Sequence, residues 1–283
     1  MIGAVALFSV MDALLKLLVE RYPPMQVTTL RGIASLPFLL LPFLIRGRWH
    51  RLSTGRWHWH VGRAAIGVVM LSSFIFAVQR LSLADTYSIF MCAPLLIAAL
   101  SVPLLREHVT TGQWVAIAVG LAGVLVMLRP TGAGWATLGG LAAVLSAVCY
   151  AVSAIALRVL SRSETKESLV FYFTLFLSIG AGFLALPGWR SMLLTDLPLI
   201  VGVGVLGATA QHLITEAFRS APASVIAPFE YTALPWGVLL DLAIWNVLPG
   251  AITLVGGAIV IATGLYLIAR ERRAPVAAEA EHP

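Results

Sequence analysis

Charge is scarce in this sequence. Asp, Glu, Lys and Arg make up 11% of its 283 residues and hydrophobic residues 59%, whereas a water-soluble domain carries about 25% charged residues. A soluble fold cannot hide that much apolar surface, so the composition excludes the soluble classes and leaves an all-α integral membrane protein. Cysteine is equally thin. Cys92 and Cys149 lie in separate apolar stretches without CxxC or Cys/His spacing, which removes a disulfide framework and leaves two small packing residues. Three chemistry-bearing patterns are absent as well: GxxxxGK[ST], GxSxG and HExxH. The chain is therefore read as a non-enzyme with no cofactor, no nucleotide site and no metal. His50, His58 and His60 have no matching acidic or Cys partners, which weakens a histidine metal site.

What is abundant is apolar sequence in long runs. A helix needs about 20 residues to cross ~30 Å of hydrocarbon, and cutting the chain at its charges, Pro and Gly predicts ten spans. They cover 2–19, 25–45, 62–79, 84–105, 112–129, 134–157, 168–187, 197–217, 223–245 and 250–269. Met1 leads into the first span without a basic region or a small-residue cleavage site, so that span is expected to be retained.

The net charge of +6 follows from topology rather than from nucleic acid, because the basic residues are spread through short loops without aromatic interleaving. With the N-terminus cytoplasmic, thirteen of the nineteen Lys and Arg fall in the inner loops and tail, Arg63 and Arg106 among them. The outer loops hold four: Arg21, Arg80, Arg129 and Arg190. That bias predicts both termini in the cytoplasm. The Trp- and Arg-rich stretch 46–60 then forms the longest inner loop, against an anionic leaflet.

The two halves resemble each other. Pro94 followed by "LLIAALSVPLL" aligns at an offset of 141 with Pro235 followed by "WGVLLDLAIWN", and Gly123 then falls on Gly264. "AVQRLSLAD" (77–85) runs parallel to "AFRSAPAS" (217–224), and "RPTGAG" (129–134) has the chemistry of a linker. Two copies of an odd-numbered unit enter the membrane from opposite sides. The pattern predicts two inverted-topology five-helix repeats, 1–130 and 134–270, followed by a disordered tail, 271–283, with a substrate site between the halves.

The stretch from Leu81 to Leu128 has a small, polar turn, a helix with a central Pro, a Glu at its end and a Gly-containing span. It resembles the repeat of EamA-type transporters of the drug/metabolite transporter superfamily. "APASVIAPFEYTALPWGVLLD" with "GGAIVIATGLYLI" resembles the second repeat. Within that superfamily the chain looks most like the bacterial YddG exporters. The resemblance implies a multi-pass protein of the bacterial inner (cytoplasmic) membrane that exports phenylalanine, tyrosine, tryptophan, threonine or methionine. It also places the family's first-repeat Glu on Glu107; the second repeat departs from the pattern, reading Trp245-Asn246 at the equivalent point.

Intramembrane charge defaults to a functional hypothesis. Asp12 and Lys16, four apart on one helical face, form a pair that Arg31 can join, or a gate for substrate or ions. Glu230, about seven residues into its span, pairs with a neighbouring helix or binds a proton in a wet cavity. Asp85 and Asp241 are read as interfacial. Ser72, Phe76 and Gln79 share one face of the third span. With Tyr87, Phe90 and Met91 on the fourth, His212 and Thr215 on the eighth and Tyr231 on the ninth, they are the expected cavity wall. Packing between helices is the competing role for each. Pro94, Pro228 and Pro235 remove backbone donors and bend their helices, which makes them candidate hinges. The reading that follows is a secondary transporter exporting apolar or aromatic amino acids by alternating access. The alternatives are the same fold with another metabolite as cargo, and a channel-like or structural membrane protein.

Overall fold

The computed structural model describes residues 1–47, 49–105, 111–128, 137–221, 226–252, 254–259, 261–263, 265–266 and 269. Glu107, the linker 129–134 and the tail 271–283 lie outside the described residues. Among the described residues every regular element is helical. The α-helices are α1 (Ile2–Val19), α2 (Pro24–Arg46), α3 (Trp57–Arg80), α4 (Leu83–Phe90), α5 (Cys92–Leu105), α6 (Thr111–Leu128), α7 (Leu138–Leu160), α8 (Lys166–Ala185) and α9 (Leu197–Ser220). A 3-10 segment (Ala227–Thr232), α10 (Ala233–Leu240) and a π-turn (Asp241–Trp245) follow, and then a short apolar helix, α11 (Leu254–Thr263).

Among the described residues six stretches are long and apolar enough to cross a membrane: Ile2–Val19, Trp57–Arg80, Leu83–Leu104, Leu138–Leu160, Lys166–Gly188 and Leu194–Ser220. α2 and α6 are further helices of 23 and 18 residues. Local chemistry sets the helix ends. Pro24 opens α2 at the position where a missing N–H costs nothing. Ser82, Thr137 and Thr165 each accept a backbone N–H at the start of α4, α7 and α8.

Two of the expected spans differ from simple helices. The fourth breaks at Met91 into α4 and α5, because Pro94 in the first turn of α5 has no N–H for the carbonyl of Phe90. The ninth changes helix type twice and ends at Asn246, whose φ of 54° turns the chain out of the helix.

The main pairings set α1 against α9, α3 against α7 and α2 against α8 and α9. Small residues allow these approaches. At Gly204 of α9 any Cβ would collide with the backbone carbonyl of Ala34 on α2. Large apolar side chains such as Leu141, Val148, Ile179, Phe183 and Val201 remain exposed, the surface a bilayer would cover.

Polar contacts tie both ends of the bundle. At one end Asp196 is buried and accepts from Arg21 and from the Tyr22 hydroxyl (2.7 Å), while Gln26 brackets Arg190 through its carbonyl (2.7 Å) and its N–H (2.9 Å). At the other, Glu164 accepts from Thr54 (3.0 Å) and Ser168 (3.1 Å), with the buried His60 ring nitrogen 3.7 Å away.

Candidate functional site

A cavity of about 140 Å³ lies between the helices, and its lining is mostly apolar. Its most regular feature is a row of four aromatic rings. Tyr87 stacks on Phe74 at 6.1 Å between centroids, Phe74 meets Phe90 at 5.6 Å, and Phe90 meets Tyr150 at 5.2 Å. These are the offset and edge contacts that aromatic quadrupoles favour. The break at Met91 ends α4 at Phe90, so the third and fourth rings meet across the seam between α4 and α7.

Each end of the row carries a buried carboxyl held by the terminal tyrosine. The Tyr87 hydroxyl donates to Asp12 Oδ2 at 2.8 Å, and the Tyr150 hydroxyl donates to Glu230 Oε1 at 2.7 Å. Both acids line the cavity. Each end also has an arginine: Arg31 interacts electrostatically with Asp12, and Arg63 with Tyr150. Arg31 donates its Nε to the Met11 sulfur (3.4 Å) and lies over the Phe8 ring (5.8 Å). Arg63 donates to the Leu169 carbonyl (3.2 Å) and lies 4.2 Å over the Phe173 ring. Among the described residues the ion pairs are Lys16–Asp241, Arg21–Asp196, Arg51–Glu167, His60–Glu164 and Lys166–Glu216. Among the described residues, neither Arg31 nor Arg63 belongs to one.

The structure therefore gathers Asp12, Arg31, Tyr87, Phe90, Met91 and Glu230 from the expected residues into one wall. Others go elsewhere. Ser72 donates to the Met25 sulfur (2.9 Å), Phe76 lies 3.6 Å under the Arg80 guanidinium, and Gln79 donates to the Val19 carbonyl (3.3 Å). On α3 the cavity takes Arg63, Met70, Leu71 and Phe74 instead. On α9 it takes Gln211, Ile214 and Phe218 rather than His212 and Thr215. At 100° per residue the lining of α9 is about one residue out of phase with the expected face, and that of α3 lies on nearly the opposite face. Tyr231 packs in an apolar cluster with Met91, Cys92 and Ala147. Pro94 and Pro235 stand in the first turns of α5 and α10, and the side chain of Pro228 lies outside the described residues.

One charge reading is corrected. Lys16 does not neutralise Asp12. It reaches Asp241 (3.2 Å) and sits 4.5 Å over the Trp245 ring. Asp241 is fully buried in the protein, and its oxygens also accept the backbone N–H groups of Leu83 (3.1 Å) and Ala84 (2.7 Å) at the start of α4. A buried carboxylate with two amide donors still needs a countercharge, and Lys16 supplies it.

Arg63, Tyr150 and Gln211 are cavity residues that sequence reasoning missed. Arg63 was counted to an inner loop, although it follows Trp57 by six positions in a continuous helix. Tyr150, the single aromatic residue of α7, was the available signal there. Among the described residues no cluster of three or more His, Cys, Asp or Glu offers a metal site.

Residues 1–129 match the family model of the EamA-like transporter family. The chain is similar to a riboflavin transporter of Vibrio cholerae, 28% identical across 81% of this chain and 78% of that one. It is also similar to an S-adenosylmethionine uptake transporter of Rickettsia bellii, 26% identical across 93% of this chain and 90% of that one. A solved crystal structure superposes with a TM-score of 0.71 over 96% of this chain and 98% of its own, at 19% identity, which shows a shared fold. The first 129 of the 283 residues are thus similar to the EamA-like transporter family, and most of the chain is similar to bacterial proteins named as transporters.

Proposed function

We propose that the chain is a secondary transporter for a small metabolite that combines an apolar or ring-bearing body with charged groups. The observation that carries this reading is the charge inside the cavity: two acids and two arginines flank a row of four rings. Charge buried in a cavity is costly without a partner, so these groups call for charged groups on the cargo. The two relatives are named for riboflavin and S-adenosylmethionine, ring-bearing metabolites other than aromatic amino acids. The broader cargo thus replaces the aromatic amino-acid exporter. One of these relatives is named for uptake, so the reading covers import as well as export.

Alternating access between two five-helix repeats, with both termini in the cytoplasm of a bacterial inner membrane, is the architecture we propose around this site. The pairings support it: exchanging the halves turns α1 with α9 into α7 with α3, and leaves α2 with α8 unchanged. The test is counterflow in proteoliposomes with a panel containing riboflavin, S-adenosylmethionine, phenylalanine and threonine. Saturable exchange of riboflavin or S-adenosylmethionine, faster than that of phenylalanine, is expected. Exchange of phenylalanine alone would return the amino-acid reading, and ohmic currents would favour a channel.

A further inference from the structure

We infer that Arg63 and Arg31 are anion-binding poles of the cavity and that the cargo carries a carboxylate on its ring-bearing body. The inference rests on the transporter reading and deepens it. Arg63 is 5% exposed and Arg31 9% exposed, and both face the cavity. Each is only partly satisfied. Arg63 gives one N–H to the Leu169 carbonyl, and its Nε has no partner. Arg31 gives its Nε to a thioether sulfur, a weak acceptor. A guanidinium carries five N–H donors in a planar fork, so both side chains keep donors for an incoming group.

Burial without an ion-pair partner is expensive for a cation, and the rings of Phe173 and Phe8 offset only part of it. Arginine in place of lysine matters, because the planar fork matches the two oxygens of a carboxylate, and stacking on an aromatic ring holds its plane. The neighbouring acids narrow the choice of anion. Asp12 and Glu230 stand at the same two ends of the ring row, each with one tyrosine donor. A doubly charged phosphate would face their repulsion, while a singly charged carboxylate meets less of it. The four-ring row beside them provides a flat apolar surface for the rest of the molecule.

The test uses the purified full-length protein in detergent with three probes of equal size class: N-acetylphenylalanine, phenylalaninamide and phenyl phosphate. Binding is read from the ligand-dependent shift in melting temperature. N-acetylphenylalanine is expected to bind at least tenfold more tightly than the other two. Arg63→Gln should remove that preference, and Arg63→Lys should restore part of it through charge without the fork. Arg80→Gln, which alters a cation over Phe76 outside the cavity lining, should leave it unchanged. Where Arg63→Gln does not fold, Arg31→Gln and Arg63→Lys carry the comparison. Equal binding of phenylalaninamide, or an unaltered preference in the arginine variants, overturns the inference. Phenyl phosphate bound most tightly overturns the carboxylate assignment. The counterflow panel keeps the two readings apart: saturable exchange without carboxylate preference removes only this inference, whereas no exchange of any solute removes the transporter reading.

Discussion

The fourth and ninth spans share a proline at the third position of an α-helix, Pro94 in α5 and Pro235 in α10, yet the chain ahead of each proline behaves differently. Before Pro94 stands a regular helix, α4, started by the Ser82 hydroxyl and stopped at Phe90. Before Pro235 stands a second proline, Pro228, and the intervening turns are 3-10. One proline interrupts a helix; two, seven residues apart, hold the stretch between them in a tighter winding. The consequence is chemical. The regular α4 presents a hydroxyl donor, Tyr87, to α1, whereas the 3-10 segment presents a carboxyl acceptor, Glu230, to α7. The ninth span also continues to Asp241, whose counterpart at the repeat offset is Leu100, an apolar residue.

That last contrast yields the largest expected effect. Asp241→Asn leaves Lys16 as a buried cation without a partner and should destabilise the fold by about 3–5 kcal/mol. Lys16→Met in the same chain should recover most of the loss, and thermal melts of the single and double variants decide it. Full stability in Asp241→Asn alone would erase the distinction between the two spans at this point.

The next effect asks whether the two tyrosine bridges are equal. Tyr87→Phe and Tyr150→Phe each remove one hydrogen bond to a buried carboxyl, a loss of about 1.5–3 kcal/mol for a charged acceptor. Similar losses in denaturation midpoint, with slowed exchange in both variants, are expected. A large effect at one bridge and none at the other would show that the spans differ in role as well as in winding.

The smallest effect concerns the prolines. Pro94→Ala returns an N–H to the Phe90 carbonyl, a hydrogen bond worth about 1 kcal/mol, and should stabilise α4–α5 by less than that, because the freer unfolded chain opposes it, while slowing turnover. Pro235→Ala should change less, because Pro228 still constrains the segment before it. Paired melting and exchange measurements test the order.

The sequence made the membrane class, the helix-breaking prolines and the isolated charges legible, because each is a local property. It did not fix which face of α3 or α9 looks inward. A helix that is apolar on most of its circumference offers little amphipathic contrast from which to set a phase, and Ser72 and His212 drew the reading one position away from Leu71 and Gln211. The partner of Lys16 was equally hidden. Asp12 is four residues away, but Asp241, 225 residues away, holds the buried oxygen that the lysine reaches. Arg63 was lost to loop counting, because Lys/Arg statistics describe where charges usually stop and not how far a helix carries one inward.

The two tyrosine bridges bear on how such chains are traced through descent. In one, the first helix of its half supplies the acid and the fourth span the phenol; in the other, the first helix supplies the phenol and the ninth span the acid. At the repeat offset of 141, Asp12 falls on Ser153 and Tyr87 on Pro228, so a residue-by-residue alignment of the halves scores both columns as divergence. The interaction survives while its letters trade places, so similarity scores undercount kinship at the positions where the halves do the same work.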